Sequence, residues 1–409
     1  MLTAALKSGG ESGAPRSRLR GALLAAQACF SVLLLVGAGL FVRSLWRVVH
    51  TDLGYATGNV LVVDADLSLA GYDRPASIRF FEQALERMRV LPGVRLASLG
   101  INAPFRTMNS TRFRLTDRDS TPRAPEGGPY YNGVTPEYFA TLGMRLLRGR
   151  LFTAADQAGT PQVLVINQHL ADFYWPGQDP LGKCVKIAAD SLPCATVVGV
   201  VANARVNEIQ EKTRNMYYVP LAQAAIRALS RDRILFLRTA ASPAGMVPTV
   251  RRAFHEMGPN LPAPTIQTFQ SQIDPEIQPW RLGAVMFGVF GAMALLIAAI
   301  GLYSVMSYLV AQRTREFGIR AALGASARRL VRSVLGEGLR VVLAGLALGI
   351  GASLLLGRLL APLLYQTSPR DPAVLLSVAA VLVVSAVLAI LLPARRATRV
   401  DPSEALRAE

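Results

Sequence analysis

The chain has 409 residues, a formal net charge of +17 and 51% hydrophobic residues. A basic balance of this size is compatible with nucleic-acid binding, but here the arginines flank apolar runs instead of alternating with aromatics, which argues against that class. The three histidines, His50, His169 and His255, are scattered without ligand spacing, and no GxSxG motif occurs, so zinc and serine-hydrolase chemistry find no support.

The N-terminal tail, residues 1–20, carries four basic residues and one acid. The first uncharged apolar segment follows at 21–42 and contains Cys29, read as a small hydrophobe. About 20 apolar residues span a bilayer core, so this segment predicts a transmembrane helix. It is too long for a cleavable signal, and no small-residue cleavage site precedes Arg43 and Arg47.

Residues 43–281 read as a separate mixed α/β domain, large enough for its own core. Val60–Leu67 alternates like a strand. Pro75–Val90 places Ile78, Phe81, Ala84, Leu85 and Met88 at helical spacing, and Arg95–Ile101 reads as a strand. The order returns near the end of the domain, with a strand at Ile234–Thr239, a helix at Pro243–Met257 and a strand at Pro264–Phe269. These two units, about 50–101 and 226–275, can form one split lobe around an inserted lobe at about 102–225. Within the insert, helices are expected at Pro136–Leu142 and Gln168–Tyr174, and a strand at Val163–Asn167. The polar, Gly- and Pro-rich stretch Pro104–Tyr130 reads as a mobile loop.

Two β-like runs flank the polar turn Ala189–Pro193, so Cys184 and Cys194 can face each other across a hairpin. An oxidising exterior permits a disulfide there, and that is the preferred reading over two free buried thiols. Gly177–Cys184 nearly matches the phosphate-binding GxxxxGK[ST] loop. It is preceded by Phe173-Tyr174-Trp175-Pro176 and followed by a β-like run, and Cys184 stands where the metal-binding hydroxyl belongs; a turn into a hairpin fits better.

Three further apolar segments follow, at 282–310, 341–357 and 372–394, none with a charged residue. The 341–357 segment is short, but Arg340 and Arg358 flank it with stems long enough to snorkel. It also holds the pair Gly345 and Gly349, a GxxxG spacing suited to close helix contact. The loop 311–340 carries seven arginines and two acids, and the tail 395–409 carries four arginines, whereas the loop 358–371 carries only Arg358 and Arg370. Lys and Arg are retained on the cytoplasmic side. Both termini and loop 311–340 are therefore expected inside, and residues 43–281 and 358–371 outside. The spans lack any acid that could relay protons, which points to an external motor. In loop 311–340, Phe317, Ile319 and Leu323 lie among charges and precede Gly324; a short amphipathic helix offered to a partner and a solvated connector fit this composition equally.

The stretch Thr314-Arg-Glu-Phe-Gly-Ile-Arg-Ala-Ala-Leu-Gly-Ala325 resembles the hallmark of the FtsX-like, MacB-type ABC transporter permeases. So does Leu392-Pro-Ala-Arg-Arg-Ala-Thr-Arg-Val-Asp-Pro-Ser-Glu-Ala-Leu406. Val134–Phe139, Leu147–Phe152 and Tyr174–Lys183 look like the periplasmic core domain of that family, and the one-plus-three span order matches it. The resemblance implies an α-helical four-span bundle with a large extracytoplasmic domain of two lobes, placed in the bacterial inner membrane. It implies a permease subunit rather than an enzyme, with no cofactor bound by this chain and ATP used by a cytoplasmic ABC ATPase partner. A second permease unit, membrane lipids and a periplasmic adaptor are further implied partners; nucleic acid is not. Carried over residue by residue, the ATPase-coupling element comprises Arg315, Glu316, Phe317, Gly318, Ile319, Arg320, Leu323 and Gly324. The opening Leu2–Gly10 resembles the linker of duplicated acidobacterial permeases, so the chain is also readable as one half of a longer product. The expected function is transmission of ATP-driven motion to the periplasmic domain for export; the alternative is an FtsX-like regulatory permease that controls a periplasmic partner without moving cargo.

Overall fold

The structure, a computed structural model, describes residues 14–106, 108–224, 233–313, 316 and 326–397; for 14–20, 327, 396 and 397 it describes the backbone alone. The chain forms two compact units, one of Thr51–Glu276 and one made from the flanking chain, up to His50 and from Ile277 onward.

Helix α1 (Ala14–Val49) opens the helical unit. The α/β unit begins with β1 (Val60–Asp64), which ends earlier than its alternation predicts. The reason is Asp66, whose Oδ1 accepts a hydrogen bond from the Ser68 amide at 3.0 Å and starts a 3-10 turn over Leu67–Ala70. Helix α2 (Arg74–Arg89) is capped by Asp73, whose Oδ1 takes the Ala76 amide at 2.8 Å. Strands β2 (Val94–Gly100), β3 (Asn109–Ser110), β4 (Phe113–Leu115) and β5 (Tyr130–Val134) follow. Then come α3 (Tyr138–Leu142), β6 (Leu146–Gly149), β7 (Val163–Asn167) and α4 (Gln168–Tyr174). Strands β8 (Cys184–Ile187), β9 (Ala195–Val201) and β10 (Met216–Pro220) lead to α5 (Leu221–Ala224). The unit closes with β11 (Ile234–Thr239), α6 (Pro243–Met257) and β12 (Thr265–Thr268).

The strands join in one sheet, in the order β12-β1-β11-β2-β5-β10-β7-β9-β8-β4, with β3 on β5 and β6 on β9. Pairs β5–β10 and β7–β9 are parallel; the others are antiparallel. The sheet has a weak joint: β2 meets β5 only at Gly100 opposite Val134. A separate core lies on each side of it. On the β1/β11/β2 side, Phe80, Phe81, Leu85 and Met88 of α2 and Val250 and Phe254 of α6 pack on Leu61, Val63, Leu99, Leu235 and Leu237. On the other side, Tyr174 and Trp175 pack with Leu164, Ile166, Val197, Val200, Tyr217 and Val219. Each large side chain so buried stabilises by roughly 1.5–3 kcal/mol before its ordering cost.

The stretch expected as a loop, Pro104–Tyr130, instead contributes β3 and β4. Phe113 and Leu115 are buried in the second core and pair with Ile187 and Val185, while Arg114 between them points outward. Only two apolar residues alternate there, too few to register against the surrounding Gly, Pro and Asp.

The helical unit holds α1, α7 (Phe269–Gln312), α8 (Ala327–Leu360) and α9 (Pro372–Ala397); the boundary with the α/β unit falls within α7. All four are long and apolar enough to cross a membrane. They run past the uncharged segments; α8 in particular continues through Glu337, Arg340 and Arg358, and so makes up for the short apolar run. The core residues recur every fourth position: Val32, Val36 and Leu40 on α1, and Val374, Val378, Leu382, Ala386, Ile390 and Ala394 on α9. Such a stripe is an i±4n ridge, the surface that packs helix into helix. Leu282, Met286, Val289, Met293, Leu296 and Ile300 of α7 stay exposed, as suits a lipid-facing row.

Candidate functional site: the helical unit and its charged ends

Lipid tails are as apolar as leucine, so close packing, not hydrophobic burial, must hold membrane helices together. The contact of α8 with α1 shows how. A Cβ on Gly345 would stand 2.6 Å from the Ala28 Cβ and 2.7 Å from the Ala25 carbonyl oxygen. One on Gly349 would stand 2.6 Å from the Val32 Cβ and 3.0 Å from the Cys29 carbonyl oxygen. Only glycine permits this approach, and Cys29 belongs to the same seam as a free thiol. A second contact escaped sequence reading: Gly37 of α1 receives the Phe287 ring of α7, where a Cβ would lie 2.6 Å away. Alongside it, the Ser31 hydroxyl donates to the Ala294 carbonyl at 3.1 Å.

Charge sits at both ends of this unit. At one end Arg43 Nε meets Asp371 Oδ2 at 2.8 Å, with the aspartate side chain only 8% exposed. The other carboxylate oxygen of Asp371 accepts the Ala373 amide at 3.1 Å and so caps α9. Trp280 Nε1 donates to the Leu363 carbonyl at 3.0 Å and its ring meets Tyr365 edge-on. At the opposite end Arg313 Nη1 contacts Glu337 Oε2 at 2.8 Å, across the two helices that flank the basic loop. Of the residues assigned to coupling, Glu316 is helical and exposed. Arg315, Phe317, Gly318, Ile319, Arg320, Leu323 and Gly324 lie outside the described residues.

In the α/β unit, Cys184 and Cys194 are joined by a disulfide across the β8–β9 hairpin, with a Cα–Cα distance of 5.7 Å. The GxxxxGK-like segment runs from helix α4 through Gly177 and Gly182, both at positive φ, into strand β8. That is the reverse of the strand–loop–helix order a phosphate-binding loop requires. Its Lys183 faces Asp117 at 3.7 Å, which also accepts from Trp175 Nε1 at 3.0 Å. Desolvation pulls the Asp117 carboxyl pKa up, but Trp175, Arg118 and Lys183 outweigh it and hold the carboxyl below its ordinary value. Asp156 is likewise held down, chiefly by its paired hydrogen bonds from Arg150 at 2.8 and 3.0 Å. Burial pushes the phenols of Tyr55 and Tyr138 up, so both stay neutral. Among the described residues no His, Cys, Asp or Glu group is placed to hold a metal ion.

A membrane helix, a large two-core α/β domain and three more membrane helices define a multi-pass membrane protein built to carry a domain outside the bilayer. Residues 29–256 match the MacB-like periplasmic core domain and residues 288–402 the FtsX-like permease C-terminal domain. The chain belongs to the MacB/FtsX-like family of ABC transporter permeases. It is 28% identical over 286 residues to a pyoverdine export ATP-binding/permease protein of Pseudomonas putida, covering 68% of this chain and 43% of the relative. It is 30% identical over 289 residues to a probable export ATP-binding/permease protein of Pseudomonas fluorescens, covering 67% and 42%. A macrolide export ATP-binding/permease protein of Azoarcus is 26% identical, covering 68% and 42%. The chain thus spans less than half the length of these curated relatives. The periplasmic region of MacB from Actinobacillus actinomycetemcomitans aligns with 55% of this chain and 95% of its own length, at 13% identity and a TM-score of 0.40.

Proposed function

We propose that this chain is the permease part of an ABC export system, passing the motion of an ATPase to its periplasmic domain. The observation that carries the reading is the order of parts. One membrane helix, the MacB-like domain and the FtsX-like helices occur on one chain, and relatives that match it over about two thirds of its length are named export ATP-binding/permease proteins. In this reading the ATPase engages loop 311–340 on the cytoplasmic side, where the arginines belong. Glu316 and Arg320 pair with charges on the ATPase, and Phe317 and Leu323 seat in an apolar groove, a helix-in-groove contact. The loop is flanked by α7 and α8, so a push on it acts on both helices. ATP is bound and hydrolysed by the ATPase. A second permease unit completes the assembly.

The test replaces Glu316, Phe317 and Arg320 together with alanine. A partner ATPase captured from the host membranes is reconstituted with each form of the chain in lipid. Loss of three contact residues should weaken the stimulated ATPase rate about tenfold or more, with membrane insertion unchanged. Undiminished stimulation would contradict the assignment.

A further inference from the structure

The chain passes between the α/β unit and the helical unit twice, at residues 50–51 and at residues 276–277. The first crossing is irregular: no helix or strand covers 51–59, so no ladder of hydrogen bonds stiffens it. The second lies inside α7, a helix of 44 residues that runs from Phe269 to Gln312. An unbroken helix curves only gently, so the freedom of one unit to turn on the other depends on α7.

The sequence at this second crossing is Asp274-Pro-Glu-Ile-Gln-Pro-Trp280. Pro275 and Pro279 stand one turn apart and bracket the boundary between Glu276 and Ile277. Proline has no amide hydrogen, and its ring crowds the carbonyl four residues earlier. The Ser271 and Pro275 carbonyls therefore lack the donors that an α-helix supplies four residues on. Neither proline is in the first turn of α7, where a missing amide would do no harm.

The helix is pinned on both sides of this stretch, each time within one unit. Before it, Phe269 is wholly buried, with the Tyr55 ring edge-on at 5.6 Å and the Phe105 ring at 6.3 Å between centroids, and Ile273 is buried as well. After it, Trp280 is held by the Leu363 carbonyl and by Tyr365. The two prolines are themselves exposed, so replacing them removes little packing.

We propose that Pro275 and Pro279 form a hinge in α7, about which the α/β unit swings as a body on the helical unit. Bending concentrates there because the ladder is broken there and the turns on either side are pinned. The hinge belongs to the chain without nucleotide, so it stands or falls separately from the export reading. Where that reading holds, the hinge is the point at which movement of α7 becomes rotation of the domain.

The experiment uses the full chain, one copy per lipid nanodisc, without nucleotide. Val90→Cys in the α/β unit and Arg370→Cys in the helical unit, both exposed positions, carry spin labels in a Cys29→Ser background. Pulsed electron resonance records the distribution of distances between the two labels, which should be broad in the parent. Pro275→Ala combined with Pro279→Ala restores both amides and should narrow the distribution to about half its parental width. Pro248→Ala removes an exposed proline from inside α6, leaves α7 untouched and should not change the width. Near-UV circular dichroism of each variant reports that the domain is folded. A parental distribution as narrow as that of the double variant, or equal narrowing by Pro248→Ala, would overturn the proposal.

Discussion

In the helical unit glycines bring one helix against the next; in the α/β domain the largest side chains fill the cores. Gly345 and Gly349 let α8 touch the backbone of α1, and Gly37 admits a ring from α7. By contrast Trp175, Tyr174, Phe81 and Phe254 are almost wholly buried in the domain and fill its two cores. The difference follows from solvent. Burial from water rewards large apolar surface, whereas helices already in lipid gain mainly from close approach. The two units should therefore fail under opposite substitutions.

The largest effect is expected in the domain. Trp175→Ala removes a side chain that is 1% exposed and takes one hydrogen-bond donor, the indole N–H, from Asp117. It should destabilise the α/β domain by about 3–5 kcal/mol, read as a lower urea midpoint for near-UV circular dichroism. The resistance of the helical unit to dodecyl sulfate should not change. A loss shared equally by both units would erase the distinction drawn between them.

The converse is Gly349→Leu. Its side chain would collide with Val32 and with the Cys29 carbonyl of α1. Overpacking of this kind costs about 1–3 kcal/mol, and here it should lower the dodecyl sulfate midpoint of the helical unit while leaving the urea midpoint of the domain in place. A Gly349→Leu protein as resistant as the parent would show that the glycine seam carries no stability.

How far this organisation could be read from sequence differs between the units in the same way. The four membrane helices were legible because a bilayer demands long uncharged runs, and the GxxxG pair because close approach leaves a spacing. Strands β7 and β11 were legible with their ends as short, nearly continuous apolar runs, and helices α4 and α6 were legible with theirs. Strand β5 was not. Its Asn132 is fully buried and accepts the Ile101 and Asn102 amides while donating to the Asn102 carbonyl and the Tyr138 hydroxyl. An asparagine followed by Gly133 reads as a turn, and only tertiary partners make it a strand. Strand β10 was hidden differently: its five residues end on Pro220, a residue that argues against a strand. The coupling residues were legible only through the motif resemblance of residues 314–325.

The most direct test of the central claim, that ATP-driven motion reaches the α/β domain, is a distance. Val90, 73% exposed at the end of α2, can be replaced by cysteine in a Cys29→Ser background and spin-labelled. In the proposed assembly, two permease units reconstituted with an ATPase, the label-to-label distance between copies is measured by pulsed electron resonance. The account predicts that the distribution shifts on ATP binding, and that the shift disappears when Glu316, Phe317 and Arg320 are replaced. An identical distribution with and without ATP, in an assembly that hydrolyses ATP normally, would contradict it.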